Sequence, residues 1–260
     1  FLIGIVLSIS CSKATHTGTI PSHNSSSTSV IDLSPTLQSQ ILGGEQHFAV
    51  YLPPSYATEP NKRYPVLYLL HGMNQNYKSW INEGALQAVA DEVIAEGAKE
   101  MIIICPDGFN SFYYNRPQMR YEDFFIQEFI PEIERRYRIL SEKSHRNIAG
   151  LSMGGFGATY LAFQYHNLFG NAYSTSGGFI EPAMSLLKGI INAKLPTQKN
   201  FFPSYTLECG EEDSLVIESN RTFSQFLDEK QIHYTKIFRQ GTHNWKFWKE
   251  SLPKILRSVR

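Results

Sequence analysis

A serine sits at the centre of Gly150-Leu151-Ser152-Met153-Gly154. A serine hydroxyl is a weak nucleophile at its own pKa and needs an adjacent base and an exposed, fixed position. The Gly-x-Ser-x-Gly pattern supplies the position when it turns a strand into a helix, because small flanking residues let the two elements approach closely. The partners are then sought downstream, acid first and histidine second. The candidate acid is Asp213 in Gly210-Glu211-Glu212-Asp213, with Glu211 and Glu212 as alternatives if the loop turns differently. The candidate base is His243 in Gly241-Thr242-His243-Asn244-Trp245. Together they predict acyl transfer. His243 takes the Ser152 proton and returns it to the leaving alcohol, and Asp213 holds the imidazole tautomer.

Of the remaining histidines, His16 and His23 lie in a polar tract. His47, His145, His166 and His233 lie on or beside elements without a matching loop. His71 is the rival base, in Leu70-His71-Gly72-Met73 at the end of an apolar run. That segment fits better as a loop whose backbone faces a developing oxyanion. The two expected N–H donors are Met153, directly after the nucleophile, and Met73. Nothing is spaced as a metal site.

These residues need a sheet to hold them. Strands are expected at His47–Leu52, Pro65–Leu70, Met101–Cys105, His145–Ala149, Asn171–Ser174, Ser204–Cys209 and Tyr234–Phe238. Helices are expected near 85–96, 121–136, 153–165, 183–190, 218–230 and 245–256. The alternation predicts one mostly parallel central sheet with helices on both faces. Asp213 and His243 both follow strands, at the C-terminal sheet edge where open α/β sheets gather their sites. Cys105 and Cys209 end two strands and read as buried thiols, able to pair only if those strands are neighbours.

The chain has 260 residues, 42% hydrophobic, and 24 basic against 24 acidic residues. One α/β domain accounts for that length, and the balanced charge gives no field to gather nucleic acid. The 13% aromatic content suits an aryl or carbohydrate cleft and an aromatic core equally. Residues 1–11 read as a truncated signal segment, because an apolar stretch of h-region length runs from Phe1 to Ile9 and ends at Cys11. A Cys at that junction is the expected site of lipidation and membrane anchoring; an ordinary secretory signal with an incidental Cys is the alternative. Residues 12–35 read as a Ser/Thr-rich linker, and 36–260 as the folded domain.

Several segments together carry a family likeness. They are Lys62-Arg63-Tyr64-Pro65 with the run to Gly72, Pro106-Asp107-Gly108, Ile148 to Gly155, Cys209 to Asp213, and His243-Asn244-Trp245-Lys246-Phe247-Trp248. In this order they resemble the esterase D-like esterase family over roughly residues 45–256. That family holds feruloyl, acetyl xylan and enterochelin esterases and S-formylglutathione hydrolases. The resemblance implies an α/β-hydrolase fold with no metal or organic cofactor. Within the family the chain looks most like the carbohydrate esterase family 1 type. An exported esterase for feruloyl or acetyl esters on plant cell-wall polysaccharide is therefore expected. Small esters such as siderophores are the alternative within enzymes, and a non-catalytic carbohydrate-binding scaffold is the alternative outside them. His71, Asp107, Tyr113, Tyr114 and Trp245 are candidates to line the substrate site.

Overall fold

The computed structural model describes residue 1 and residues 28–198 and 203–260. The expected signal segment beyond residue 1, with Cys11, and most of the expected linker lie outside these residues. The strands are β1 (Val30–Asp32), β2 (Thr36–Gln38), β3 (Glu45–Leu52), β4 (Val66–Leu70), β5 (Ile102–Pro106), β6 (Asn115–Arg116), β7 (Met119–Arg120), β8 (Arg146–Leu151), β9 (Asn171–Thr175), β10 (Ser204–Gly210) and β11 (Thr235–Arg239). The helices are α1 (Ser79–Asn82), α2 (Leu86–Ala95), α3 (Tyr121–Phe124), α4 (Ile130–Arg136), α5 (Met153–Gln164), α6 (Ala183–Gln198), α7 (Ile217–Glu229) and α8 (Trp245–Arg257).

The main sheet runs β1-β3-β5-β4-β8-β9-β10-β11, with β2 also on β3, and β6–β7 form a separate hairpin. From β5 to β11 every pairing is parallel. β3 joins β5 antiparallel, and β1 joins β3 antiparallel. Strand alternation divides the core in two. Val66, Tyr68 and Leu70 face the layer built by α3 to α7, beside Phe125, Phe156, Leu187 and Phe223. Leu67 and Leu69 face α1, α2 and α8, beside Trp80, Val93, Leu252 and Ile255. Burial on both faces explains why these strands read as unbroken apolar runs.

Two expectations change. The linker ends earlier than residue 35, because Val30, Ile31 and Asp32 pair with Leu52, Tyr51 and Val50. Three residues carry too little periodicity to outweigh the polar composition around them. The helix over 121–136 is interrupted at Phe125–Phe129 by a π-turn, in which the Ile130 N–H donates to the Phe125 carbonyl. Pro131 follows directly, lacking an N–H and crowding the preceding carbonyls, and the wider turn accommodates it. Cys105 and Cys209 cannot pair, since β4, β8 and β9 separate their strands. Both are free and buried, and burial pushes the Cys209 thiol up to about 12.

One ionic cluster ties the far end of the sheet to α8. The fully buried Glu208 of β10 accepts from Arg239 Nε at 2.6 Å, Lys254 Nζ at 2.8 Å and the Tyr173 hydroxyl at 2.9 Å. Burial pushes this carboxyl up, but hydrogen bonds from Lys254, Arg239 and Ser251 outweigh it and hold the group below the ordinary carboxylate range. A lowered folded-state pKa contributes stability that is full above the unfolded value. The contribution is lost as pH falls through the folded one. Glu208→Gln is expected to lose about 2 kcal/mol at neutral pH. Its deficit should narrow as the pH falls below roughly 4.3, the ordinary glutamate value. Urea unfolding of both proteins at neutral and acid pH checks this.

Candidate active site

Ser152 occupies the turn between β8 and α5 with φ +52° and ψ −118°. A non-glycine residue there stores on the order of 1–3 kcal/mol of strain. The turn is held by neighbours on every side. The Ser152 N–H donates to the Thr175 carbonyl at 3.0 Å, and the Ser152 carbonyl accepts from Gly178 at 2.8 Å and Phe156 at 3.0 Å. The glycines permit the approach. A Cβ on Gly150 would lie 2.3 Å from the Gly154 carbonyl oxygen, and one on Gly154 2.5 Å from that of Leu70.

The predicted partners converge on this turn. His243 Nε2 lies 2.9 Å from Ser152 Oγ, and its Nδ1 lies 2.7 Å from Asp213 Oδ2. The N–H groups of Leu215 and Val216 donate to Asp213 Oδ1 at 3.2 and 3.3 Å. Asp213 is fully buried, whereas Glu211 and Glu212 are exposed, which decides among the three acids. Nδ1 donates to a carboxylate, so the Nε2 lone pair faces the serine hydroxyl. That is the tautomer a general base requires. The two loops also touch, the Glu212 N–H donating to the Gly241 carbonyl at 3.1 Å.

His71 bonds locally and does not line a substrate site. It is buried, its Nδ1 donates to the Gly72 carbonyl at 2.7 Å, and its Nε2 accepts the Gly108 N–H at 2.8 Å. Both ring nitrogens are committed, so it neither serves as a base nor faces substrate. Its effect falls on the next peptide. The Gly72 carbonyl also accepts from the Gln75 N–H at 3.3 Å, and Gln75 Oε1 accepts the Gly72 N–H at 2.9 Å. In a trans peptide the N–H points opposite to the carbonyl. Fixing the Gly72 oxygen therefore fixes the direction of the Met73 N–H. Among the described residues neither that N–H nor the Met153 N–H, in the first turn of α5, has a protein acceptor.

The other proposed lining residues are mostly structural. Tyr113 is fully buried, its hydroxyl donating to the His71 carbonyl at 3.0 Å, and its ring fills the space that glycines leave at 108 and 157. Asp107 Oδ1 accepts the Phe109 N–H at 2.9 Å and shapes its own turn. Tyr114 is half-buried against Phe156 and Tyr160. Trp245 is half-buried, edge-on between Trp80 and Trp248. Aromatic residues after a strand read alike whether they face a cleft or the core. Gln75, Asn74, Asn110 and Asn220 also shape the site, and their sequence context carries no pattern that marks them.

His71→Ala leaves the Gly108 N–H without its acceptor and the Gly72 carbonyl with one donor. The kcat for a chromogenic ester is expected to fall by about 10-fold or more, with KM little changed. Steady-state kinetics test this.

Residues 39–200 match the model of the family described as "Putative esterase". An esterase of Mycobacterium tuberculosis is 34% identical over 148 residues, which is 54% of this chain and 31% of that protein. The endo-1,4-beta-xylanase/feruloyl esterase of Xylanibacter ruminicola is 33% identical over 156 residues, 56% of this chain and 22% of that protein. The chain thus spans less than a third of the length of either. A solved ferulic acid esterase superposes with a TM-score of 0.80 at 30% identity, covering 88% of this chain and 99% of that one. The fold is that of the α/β-hydrolases, and by its family match the chain belongs to this esterase family.

Proposed function

We propose that the protein hydrolyses carboxylic esters through Ser152, His243 and Asp213, and that its substrates are feruloyl or acetyl esters on plant cell-wall polysaccharide. The observation that carries the first part is the unbroken chain from Ser152 Oγ through His243 to Asp213. Ser152 Oγ attacks the ester carbonyl as His243 Nε2 takes its proton. The oxyanion is met by the Met73 and Met153 N–H groups. Collapse breaks the bond to the alcohol oxygen, which receives the proton from His243. Water, deprotonated by the same nitrogen, then attacks the acyl-enzyme and releases the acid and Ser152.

The substrate class rests on the surroundings. The loops after β4, β5, β9 and β10 leave Met73, Phe109, Ile180 and Leu215 exposed on the sheet edge that carries Ser152. Apolar side chains gathered at that edge suit an aryl or short acyl group better than a charged one. A groove of about 360 Å³ between Leu42, Gln46, Phe109 and Arg120 shares Phe109 with this set and suits a sugar-bearing alcohol. The likeness to a ferulic acid esterase supports the same reading.

Ser152→Ala is expected to lower turnover of methyl ferulate and acetylated xylan by at least about 10⁴-fold. A fluorophosphonate should label the parent and not this variant. Absence of label on the parent sinks the hydrolase reading. Labelling without turnover of either ester sinks the polysaccharide assignment alone.

We also infer export with lipidation at Cys11, motivated by the apolar run that ends there. Metabolic labelling with a fatty acid, in bacteria making the protein with its natural leader, should mark the chain. The mark should vanish in Cys11→Ser, and an unmarked parent refutes the anchor.

A further inference from the structure

The Met73 N–H is gripped from both sides. On one side stand Gly72, His71 and Gln75, as described above. On the other is Asn74, whose φ of +60° lies in the left-handed region. Its N–H donates to Asn110 Oδ1 at 2.8 Å, and Asn110 Nδ2 donates back to Asn74 Oδ1 at 2.9 Å. This reciprocal amide pair joins the loop after β4 to the loop after β5.

The loop that presents Asn110 is built at a cost. Phe109, Phe112 and Tyr113 all have positive φ, at +49°, +58° and +60°. Bulky residues adopt that region at on the order of 1 kcal/mol or more apiece. The conformation is braced by local bonds. The Ser111 hydroxyl donates to the Gly108 carbonyl at 2.6 Å and accepts the Tyr113 N–H at 2.9 Å. Arg116 donates to the carbonyls of Ser111 and Asn110. Strain of this kind persists only where surrounding structure over-determines it, and it concentrates at functional sites. This loop contributes no member of the triad. What it delivers to the site is the Gly108 N–H for His71 and the Asn110 amide for Asn74.

We infer that Asn110 is a positioning residue for the oxyanion donor at Met73, acting through its reciprocal hydrogen bonds with Asn74. This rests on the proposed Ser152 mechanism. With Asn110 in place, the peptides on either side of Met73 are anchored, and its N–H stays aimed where charge develops. Without it, the Asn74 side is free to rotate, and the donor spends part of its time misdirected. A donor that matters only once the carbonyl oxygen is charged acts on kcat and leaves ground-state binding alone. Both asparagines are exposed, so the core does not depend on the pair.

The test compares Asn110→Ala with Asn110→Asp, which keeps the Oδ1 acceptor for the Asn74 N–H and offers its second oxygen to the exposed Asn74 side-chain amide once that amide turns to donate. Three quantities are measured: kcat and KM on methyl ferulate or a chromogenic ester, the thermal midpoint, and affinity for an arylboronic acid. Boron takes Ser152 Oγ as its fourth ligand and so imitates the tetrahedral state. For the alanine variant, kcat and boronate affinity should fall together by about 10-fold, with KM and the thermal midpoint unmoved. The aspartate variant should recover most of the loss. Parental kcat and boronate affinity in Asn110→Ala would overturn the inference, as would a kcat loss that leaves boronate affinity intact. Fluorophosphonate labelling separates the two levels. An unlabelled parent removes the Ser152 mechanism and the clamp with it, whereas a labelled parent with a neutral Asn110→Ala removes the clamp alone.

Discussion

The backbone at Ser152 is the constraint to which every other part of the site is adjusted. A φ of +52° puts the hydroxyl at the top of a turn so tight that Gly150 and Gly154 tolerate no side chain. The sheet order then allocates the neighbours. β4 lies on one side of β8 and brings the loop with Met73. β9 lies on the other and brings Thr175 and Gly178, which bind the two ends of the Ser152 peptide. Asp213 follows the next strand and His243 the one beyond it. His243 therefore reaches back across three strand spacings, on the order of 14 Å.

A reach of that length requires a rigid base, and the sheet supplies one through charge. Glu208 is buried beneath the base of the His243 loop, where it fastens Arg239 of β11 and Lys254 of α8. Arg239 continues the connection, donating to the Phe247 carbonyl at 3.0 Å and lying over the Phe247 ring at 3.7 Å. The four residues that carry His243 between β11 and α8 thus start and finish on elements held by one carboxylate. Asn220 closes the other side of the site. Its Nδ2 donates at 2.8 Å to both the Gly177 and Val216 carbonyls, joining the loop behind Ser152 to the one that carries Asp213.

The parts legible in the sequence are those where one physical rule dominates. Buried parallel strands give continuous apolar runs, and β4, β5 and β8 fall within a residue or two of their expected limits. The Gly-x-Ser-x-Gly turn is legible because its steric demand admits few residues. Asp213 and His243 are legible because parallel strands deliver their loops to one edge. The asparagine and glutamine contacts are not. An amide that receives one hydrogen bond across a loop leaves no period and no composition bias. β1 escaped for a related reason: three residues on a sheet edge need only backbone pairing. Tyr113 shows the reverse error, since an aromatic ring beside a motif can fill the space left by glycines as readily as it can meet a ligand.

The chain has three tryptophans, and all of them stand in one edge-on series. Trp80 meets Trp245 at 5.3 Å, Trp245 meets Trp248 at 5.3 Å, and Trp248 meets the His243 imidazole at 5.0 Å. In most proteins the intrinsic emission of indole averages over unrelated corners of the molecule. Here the whole indole signal originates in one wall, and that wall ends on the His243 ring. The molecule therefore carries an optical reporter that adjoins that imidazole through Trp248.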